Sequence, residues 1–402
     1  MGSTMHAPRV CFVITEDWYY WSHRRILAQN LVQRGCRVDL VTNLGKLEPN
    51  IRATGVIPHS TGMRRRGKNP INEAQVVRRT AALFRELKPD VVHLVGMKPI
   101  LYGSLAARLA KVPTTVCAIA GLGWLFTPGG ILKTLARNVV ERYFRFTLAG
   151  RDNVRFIVQN SHHRETLVDR RMATATQIDL IPGAGVDTRK FGYTSQSKET
   201  PIVFTHGRML WDKGIGELVE AARMIKKHGI ACKFMLVGDP DPANPASIPQ
   251  EKLDAWNKEG IVHWQRRRGD IPDLLSRAHV ACLPSYHEGF PLSLVEASAC
   301  GRPVVTTDVP GCRDVVEDGK TGLLVPKQNA GDLAIAIAKL VLNAPLRQEM
   351  GRRGRQRVSQ QMSCDIVNSQ TYECYERVLA DCGIEIPRSE PVPSTLPARR
   401  AA

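Results

Sequence analysis

Strand-like and helix-like segments alternate along this chain, and the alternation runs twice. Arg9–Thr15 reads as an apolar strand, Ser22–Arg34 as a helix stopped by Gly35, and Arg37–Thr42 as a second strand. Glu73–Leu87 reads as a helix, residues 89–94 as a strand, Ile100–Ala110 as a helix and Thr114–Ile119 as extended. Phe156–Gln159 and Gln177–Ile181 look like the last strands of this half. After the polar stretch Thr188–Thr200 the pattern restarts: strand Ile202–Thr205, helix Gly214–His228, strand Lys233–Val237. Val262–Trp264 and Val280–Pro284 then read as extended, with Ile271–Ala278 helical between them. Apolar strands interleaved with helices build a parallel sheet covered on both faces. The expected fold class is therefore α/β, with two Rossmann-like, doubly wound domains at residues 1–188 and 201–362 and a linker at 189–200. Ser363–Ala380 reads as a helix within a 363–382 segment, and the proline-rich 383–402 reads as a disordered tail. Ligands in such sheets bind outside the carboxyl ends of the strands.

Composition narrows the classes. A chain of 402 residues has room for two or three sizeable cores. It has no run of 18 apolar residues and no long apolar leader in its first residues, so a transmembrane span or signal peptide is not expected. The ten cysteines include no C-x-x-C pair, which fits buried thiols in a reducing cytoplasm better than disulfides or zinc. Charge is lopsided. Residues 1–190 carry 29 Lys and Arg against 13 Asp and Glu, a balance of +16, whereas the remainder balances at +2. A basic half suits an anionic lipid surface, a phosphorylated ligand or nucleic acid.

Two constellations carry chemistry. Tyr286–Pro310 reads YHEGFPLSLVEASACGRPVVTTDVP, with Glu288 and Glu296 eight positions apart. Glu288 precedes the turn Gly289-Phe290-Pro291, and Leu292 opens an apolar segment that Gly301 closes, the punctuation of a short helix. Glu288 is thus expected at a helix N-terminus and Glu296 about two turns inside. Bare amides there attract phosphate, and a carboxylate inside the helix can accept hydrogen bonds from sugar hydroxyls. The second constellation is Thr205-His206-Gly207-Arg208-Met209-Leu210-Trp211-Asp212-Lys213-Gly214. Arg208 follows a strand and Lys213 precedes a helix, so two cations can converge on a diphosphate. Each charge-assisted bond to phosphate is worth roughly 1.5–3 kcal/mol.

Together these segments resemble retaining glycosyltransferases of family 4, which have the two-domain GT-B fold. EGFPL…E matches that family's E-x7-E signature, and residues 207–214 match its GR-x-x-x-x-KG motif. The resemblance implies that Glu296 holds the ribose, Glu288 lies at the donor sugar, and Arg208 and Lys213 neutralise the leaving nucleoside diphosphate. Gly289, Phe290, Pro291 and Leu292 would contribute to donor binding. The loop His263–Leu275 would frame the nucleobase through backbone groups, with Arg267 in it and Asp270 as an N-cap. Uracil is the commonest base in the family. No D-x-D context suggests a metal, and no cofactor beyond the nucleotide-sugar substrate is expected.

The first half resembles a narrower branch that acts on polyprenyl-diphosphate-linked sugars in O-antigen, capsule and protein-glycan assembly. Residues 16–25, EDWYYWSHRR, resemble its D-W-x-x-x-SHR entry segment, and His93–Pro99 with Gly121–Thr127 also match. Many relatives place a donor-contacting histidine after the strand at 114–119. Here Ile119-Ala120-Gly121 stands instead, so that role is absent or falls to His23 or His93. Gly121 and Gly123 would let backbone amides approach a ligand. The basic loop Met63–Lys68 and the cationic amphipathic stretch Ile131–Phe146 suit an anionic leaflet, where each basic residue contributes about 1 kcal/mol.

The expected function is a metal-independent, retaining hexosyl or N-acetylhexosaminyl transfer from a nucleotide-sugar. The acceptor would be a polyprenyl-diphosphate-linked sugar or oligosaccharide, reached peripherally at the cytoplasmic face of the cell membrane. A sugar-nucleotide epimerase shares the two-domain architecture and is the alternative. A nucleic-acid-binding protein would use the charge but not the EGFPL segment, and no reader motif is present; no nucleic-acid partner is expected.

Overall fold

A computed structural model describes residues 7–65, 69–122, 126, 130–380, 384, 386 and 387. Residues 1–118, 150–156 and 372–402 group into one compact unit and 119–149 and 157–371 into another, each taken over its described residues.

The first sheet has seven strands: β1 (Arg9–Glu16), β2 (Arg37–Asn43), β3 (Ile57–His59), β4 (Val91–Val95), β5 (Thr114–Ile119), β6 (Val154–Val158) and β7 (Ile178–Leu180). Their spatial order is β3-β2-β1-β4-β5-β6-β7. β1 pairs in parallel with both β2 and β4, with Phe12 beside Leu40 on one side and His93 on the other. Every residue of β4 and β5 is buried, as a parallel strand covered on both faces requires. The order reverses between β1 and β4, which makes the carboxyl edge there a topological switch point.

The second sheet holds β8 (Ile202–His206), β9 (Lys233–Val237), β10 (His263–Gln265), β11 (Val280–Leu283), β12 (Val304–Thr307) and β13 (Gly322–Val325), in the order β10-β9-β8-β11-β12-β13. All five pairings are parallel. One core cluster packs Leu218, Ala222 and Ile225 of helix Ile215–Lys227 with Ile337 and Leu340. A second gathers Phe204, Leu283, Leu294 and Val295. This sheet reverses between β8 and β11, the two strands that feed the two constellations above.

Several sequence expectations shift. The helix expected over Ser22–Arg34 is two helices, Asp17–His23 and Arg25–Gln33, broken at Arg24, whose φ of −126° and ψ of −8° leave the helical region. The aromatic run Trp18–Trp21 has no helical apolar period, which hid the earlier start. Helix Met97–Ala110 begins three residues before Ile100. Helix Leu292–Ala299 is short, so Glu296 lies one turn inside rather than two.

The stretch Ile131–Phe146 falls in a helix, Ile131–Thr147. Its cations are not arranged as a free basic face. Lys133 is buried, and Arg137 and Arg145 reach the buried Glu141, which also takes Arg170 at 2.6 Å. Besides Asn138, Arg142 and Arg145, this helix exposes an apolar stripe: Leu132 is 83% exposed and Phe146 69%, with Ile131, Leu135 and Val139 also open. In the basic loop, Arg64 and Arg65 are exposed, and Arg66 and Lys68 lie outside the described residues. No helix among the described residues is long and apolar enough to cross a membrane.

Candidate active site

β8 ends at His206, and Arg208 follows one residue later at the switch point. Its Nη1 donates to Asp241 Oδ2 at 2.8 Å. The chain then makes a single turn over Trp211–Lys213 and enters helix Ile215–Lys227 through Gly214. Gly214 has φ of +69°, and a Cβ there would lie 2.0 Å from the carbonyl oxygen of Pro284, so no other residue fits. That close approach sets the Lys213 turn against the end of β11. Lys213 Nζ donates to Glu288 Oε1 at 2.5 Å, with both side chains largely buried.

Glu288 lies on the loop after β11, held by backbone contacts. A Cβ on Gly289 would stand 1.9 Å from the Ala120 oxygen, and Asn160 Nδ2 donates to the Gly289 oxygen at 2.7 Å. Phe290 packs against Gly183. Pro291 is the N-cap of helix Leu292–Ala299, with no side chain capping its first amides. One turn in, Glu296 Oε2 stands 2.7 Å from His206 Nε2, and the His206 ring stacks on Phe204. Burial lowers the pKa of His287, the neighbour of Glu288, and Lys327 adds to the effect.

The structure thus brings Arg208, Lys213, Glu288 and Glu296 to one switch point, with the uncapped helix N-terminus beside them. Each candidate cation already touches a carboxylate, so an incoming phosphate meets donors that are held in place. His206 and Asp241 were missed in the sequence. A histidine closing an apolar strand directly before Gly-Arg was the available signal for the first. Asp241 closes the Asp239-Pro240-Asp241 run of the DPDPANP loop, a literal D-x-D that was the available signal for the second.

Arg267 is exposed, and its backbone N–H donates to Asp239 Oδ1 at 3.3 Å. Asp270 occupies the N-cap position of helix Ile271–Arg277 but does not cap it. Arg268 takes both its carboxylate oxygens, at 2.6 and 2.8 Å, because a bidentate guanidinium outcompetes a backbone amide. Gly121 is half-buried, and a Cβ there would meet nothing within 4 Å. Gly123 lies outside the described residues. His23 and His93 belong to the other compact unit. His23 stacks on Tyr19 and stands 2.7 Å from Ser22 Oγ, and burial pushes its pKa down to about 4. His93 is buried in β4 with Nδ1 2.5 Å from the Tyr375 hydroxyl.

Residues 188–357 match the family described as glycosyl transferases group 1, and residues 9–158 match glycosyl transferase 4-like. The chain is 30% identical to N,N'-diacetylbacillosaminyl-diphospho-undecaprenol alpha-1,3-N-acetylgalactosaminyltransferase of Campylobacter jejuni, over 74% of this chain and 80% of that one. It is 26% identical to UDP-Gal:alpha-D-GlcNAc-diphosphoundecaprenol alpha-1,3-galactosyltransferase of Escherichia coli, over 64% and 68%. Among solved structures, a glycosyltransferase from Rickettsia africae superposes with a TM-score of 0.75 at 17% identity, covering 93% of this chain and 99% of that one. Anabaena Alr3699/HepE, solved with UDP and glucose, gives 0.74 at 17%, covering 92% and 100%. The fold is GT-B.

Proposed function

The chain belongs to the group 1 glycosyltransferases, and from that premise we propose that it moves a sugar, with retention, from UDP-sugar to a polyprenyl-diphosphate-linked acceptor. The observation that carries the reading is the grouping at the second switch point: two cations, two glutamates and an uncapped helix N-terminus. Arg208, Lys213 and the amides at Gly289–Leu292 stabilise the departing diphosphate as its charge develops. The acceptor hydroxyl attacks from the same face as the leaving group, and the departing phosphate oxygen takes the hydroxyl proton. Glu288 orients the sugar and Glu296 the ribose. Protein cations supply the charge that magnesium supplies in other transferases.

The acceptor class follows from the two relatives above, both named for undecaprenyl-diphosphate-linked sugars. Both relatives are named as transferases, which gives the epimerase reading no support. To reach such an acceptor the protein docks on the cytoplasmic face of the cell membrane through the exposed apolar face of helix Ile131–Thr147. Arg142, exposed on that face beside Phe146, meets the anionic headgroups. The test is a donor panel offered with polyprenyl-diphosphate sugars, read by product chromatography and the anomeric NMR coupling. A new α-linked sugar on the lipid from an α-linked donor is the expected product. An inverted linkage, or donor isomerisation without acceptor, overturns the reading.

A further inference from the structure

A buried cation without a counter-charge stands by the carboxyl edge of the first sheet. Arg24 joins the two short helices that follow β1 and is 5% exposed. Its guanidinium makes no hydrogen bond or ion pair among the described residues, and its Nε is fully buried without an acceptor. It acts electrostatically on His23, His93 and Tyr375, which places it among the side chains near the β1–β4 switch point. Asp17, the acid nearest along the helix, makes no ion pair with it among the described residues and lies against Gly45. Its Oδ2 lies 2.9 Å from where a Cβ of Gly45 would be.

A second nitrogen in this cluster is also orphaned. His93 presents Nδ1 to the Tyr375 hydroxyl, and its Nε2 is buried with no partner. When the Tyr375 hydroxyl donates to Nδ1, the tautomer that suits an anion, the proton of the neutral ring sits on Nε2 and makes it a donor. Directly behind β4, helix Met97–Ala110 starts at Gly96 with no side chain capping its amides. Burying a cation alone is costly. A switch point is where ligands of such sheets bind, and a helix N-terminus favours anions.

We infer that Arg24, the Nε2 edge of His93 and the first amides of helix Met97–Ala110 form an anion site that takes the diphosphate of the lipid acceptor, distinct from the Arg208–Lys213 pair. The assignment of that anion to the acceptor rests on the transferase reading above; the anion site itself does not.

The experiment uses the full chain with its nucleotide site saturated by UDP. Inorganic pyrophosphate and farnesyl diphosphate are titrated calorimetrically into the wild type and Arg24→Met. The wild type is expected to bind both probes, and the variant to bind both at least tenfold more weakly, with UDP affinity unchanged. Without any anion, Arg24→Met is expected to melt no lower than the wild type, because an uncompensated charge has been removed. Pyrophosphate raises the melting temperature of the wild type alone. Equal pyrophosphate affinity in the two proteins, or no binding by the wild type, overturns the site. A lower melting temperature of the anion-free variant assigns Arg24 to structure and also overturns it. Binding of pyrophosphate but not of farnesyl diphosphate overturns the lipid assignment. In the transfer assay, a raised acceptor KM with kcat retained supports the inference. An unchanged KM overturns it while the transferase reading stands. If the wild type transfers nothing yet binds pyrophosphate through Arg24, the transferase reading fails and the anion site stands.

Discussion

His206 Nε2 and Glu296 Oε2 meet at 2.7 Å across 90 residues of sequence. The contact ties the end of β8 to helix Leu292–Ala299 one turn inside its start and fixes the carboxylate of Glu296 with one oxygen left to accept from a ligand.

The first expected outcome follows from that free oxygen. Glu296→Ala is expected to weaken UDP binding by about 1–3 kcal/mol, the scale of hydrogen bonds to a charged group. Affinity for 2′,3′-dideoxy-UDP should hardly change. Calorimetry on both nucleotides checks this, and equal losses would remove Glu296 from the ribose. His206→Ala is expected to cost less than Glu296→Ala, because it loosens the carboxylate without removing it.

Arg208→Ala and Lys213→Ala are each expected to lower the transfer rate by about two to three orders of magnitude, through lost stabilisation of the leaving diphosphate. The Lys213 variant carries a second cost: Glu288 loses the cation it pairs with and stays largely buried. Single-turnover rates with and without EDTA are the measurement. Abolition by EDTA with rescue by Mg²⁺ would overturn the metal-independent chemistry.

The doubly wound architecture was legible because fully buried parallel strands such as Val91–Val95 read as continuous apolar runs between helices. The two constellations were legible because Gly, Pro and charged residues sit at fixed offsets from those strands. The pairings were not. Whether Glu288 meets Lys213 or Arg208 depends on how two loops 75 residues apart close against Pro284 and Ala120, and no local signal encodes that. The expected basic face at Lys133 failed for a related reason. Helical spacing shows which residues share a stripe, but not which stripe faces the core. Here the protein buries the polar Lys133 and Glu141 and leaves Leu132, Leu135 and Val139 outside.

Acid should destabilise the fold in a defined window. Burial holds His163 and His23 near pKa 4, below the ordinary 6.5 of the unfolded chain. A depressed folded-state pKa means the unfolded chain binds more protons between those values. Stability from these groups is therefore complete above about pH 6.5, falls as pH drops toward 4 and levels off below it. Melting temperatures taken from pH 7.5 to 4 are expected to show this decline, and His163→Asn to show a shallower one. A slope in His163→Asn as steep as in the wild type would show that other groups set the acid limit.

The proposed membrane contact is testable on helix Ile131–Thr147. Five apolar side chains on its outer side, Ile131, Leu132, Leu135, Val139 and Phe146, are exposed, and the helix's buried side is occupied by Lys133, Glu141 and Phe144. Arg137 and Arg145 are engaged with Glu141, so Arg142 is the cation of this helix best placed to meet lipid. Binding should accordingly combine apolar insertion with charge. The charge part should fade as the screening length shrinks from roughly 10 Å at 0.1 M salt to about 3 Å at 1 M, while the apolar part persists. The wild type is expected to sediment with vesicles containing phosphatidylglycerol and, more weakly, to remain bound at high salt. Leu132→Ser with Val139→Ser and Phe146→Ser should abolish the salt-resistant fraction. Arg142→Gln should reduce only the salt-sensitive one. Both variants should bind UDP as the wild type does, and the triple variant should raise the apparent KM for a lipid-embedded acceptor. A wild type that stays in the supernatant at low salt overturns the docking face and leaves that apolar stripe to a protein partner.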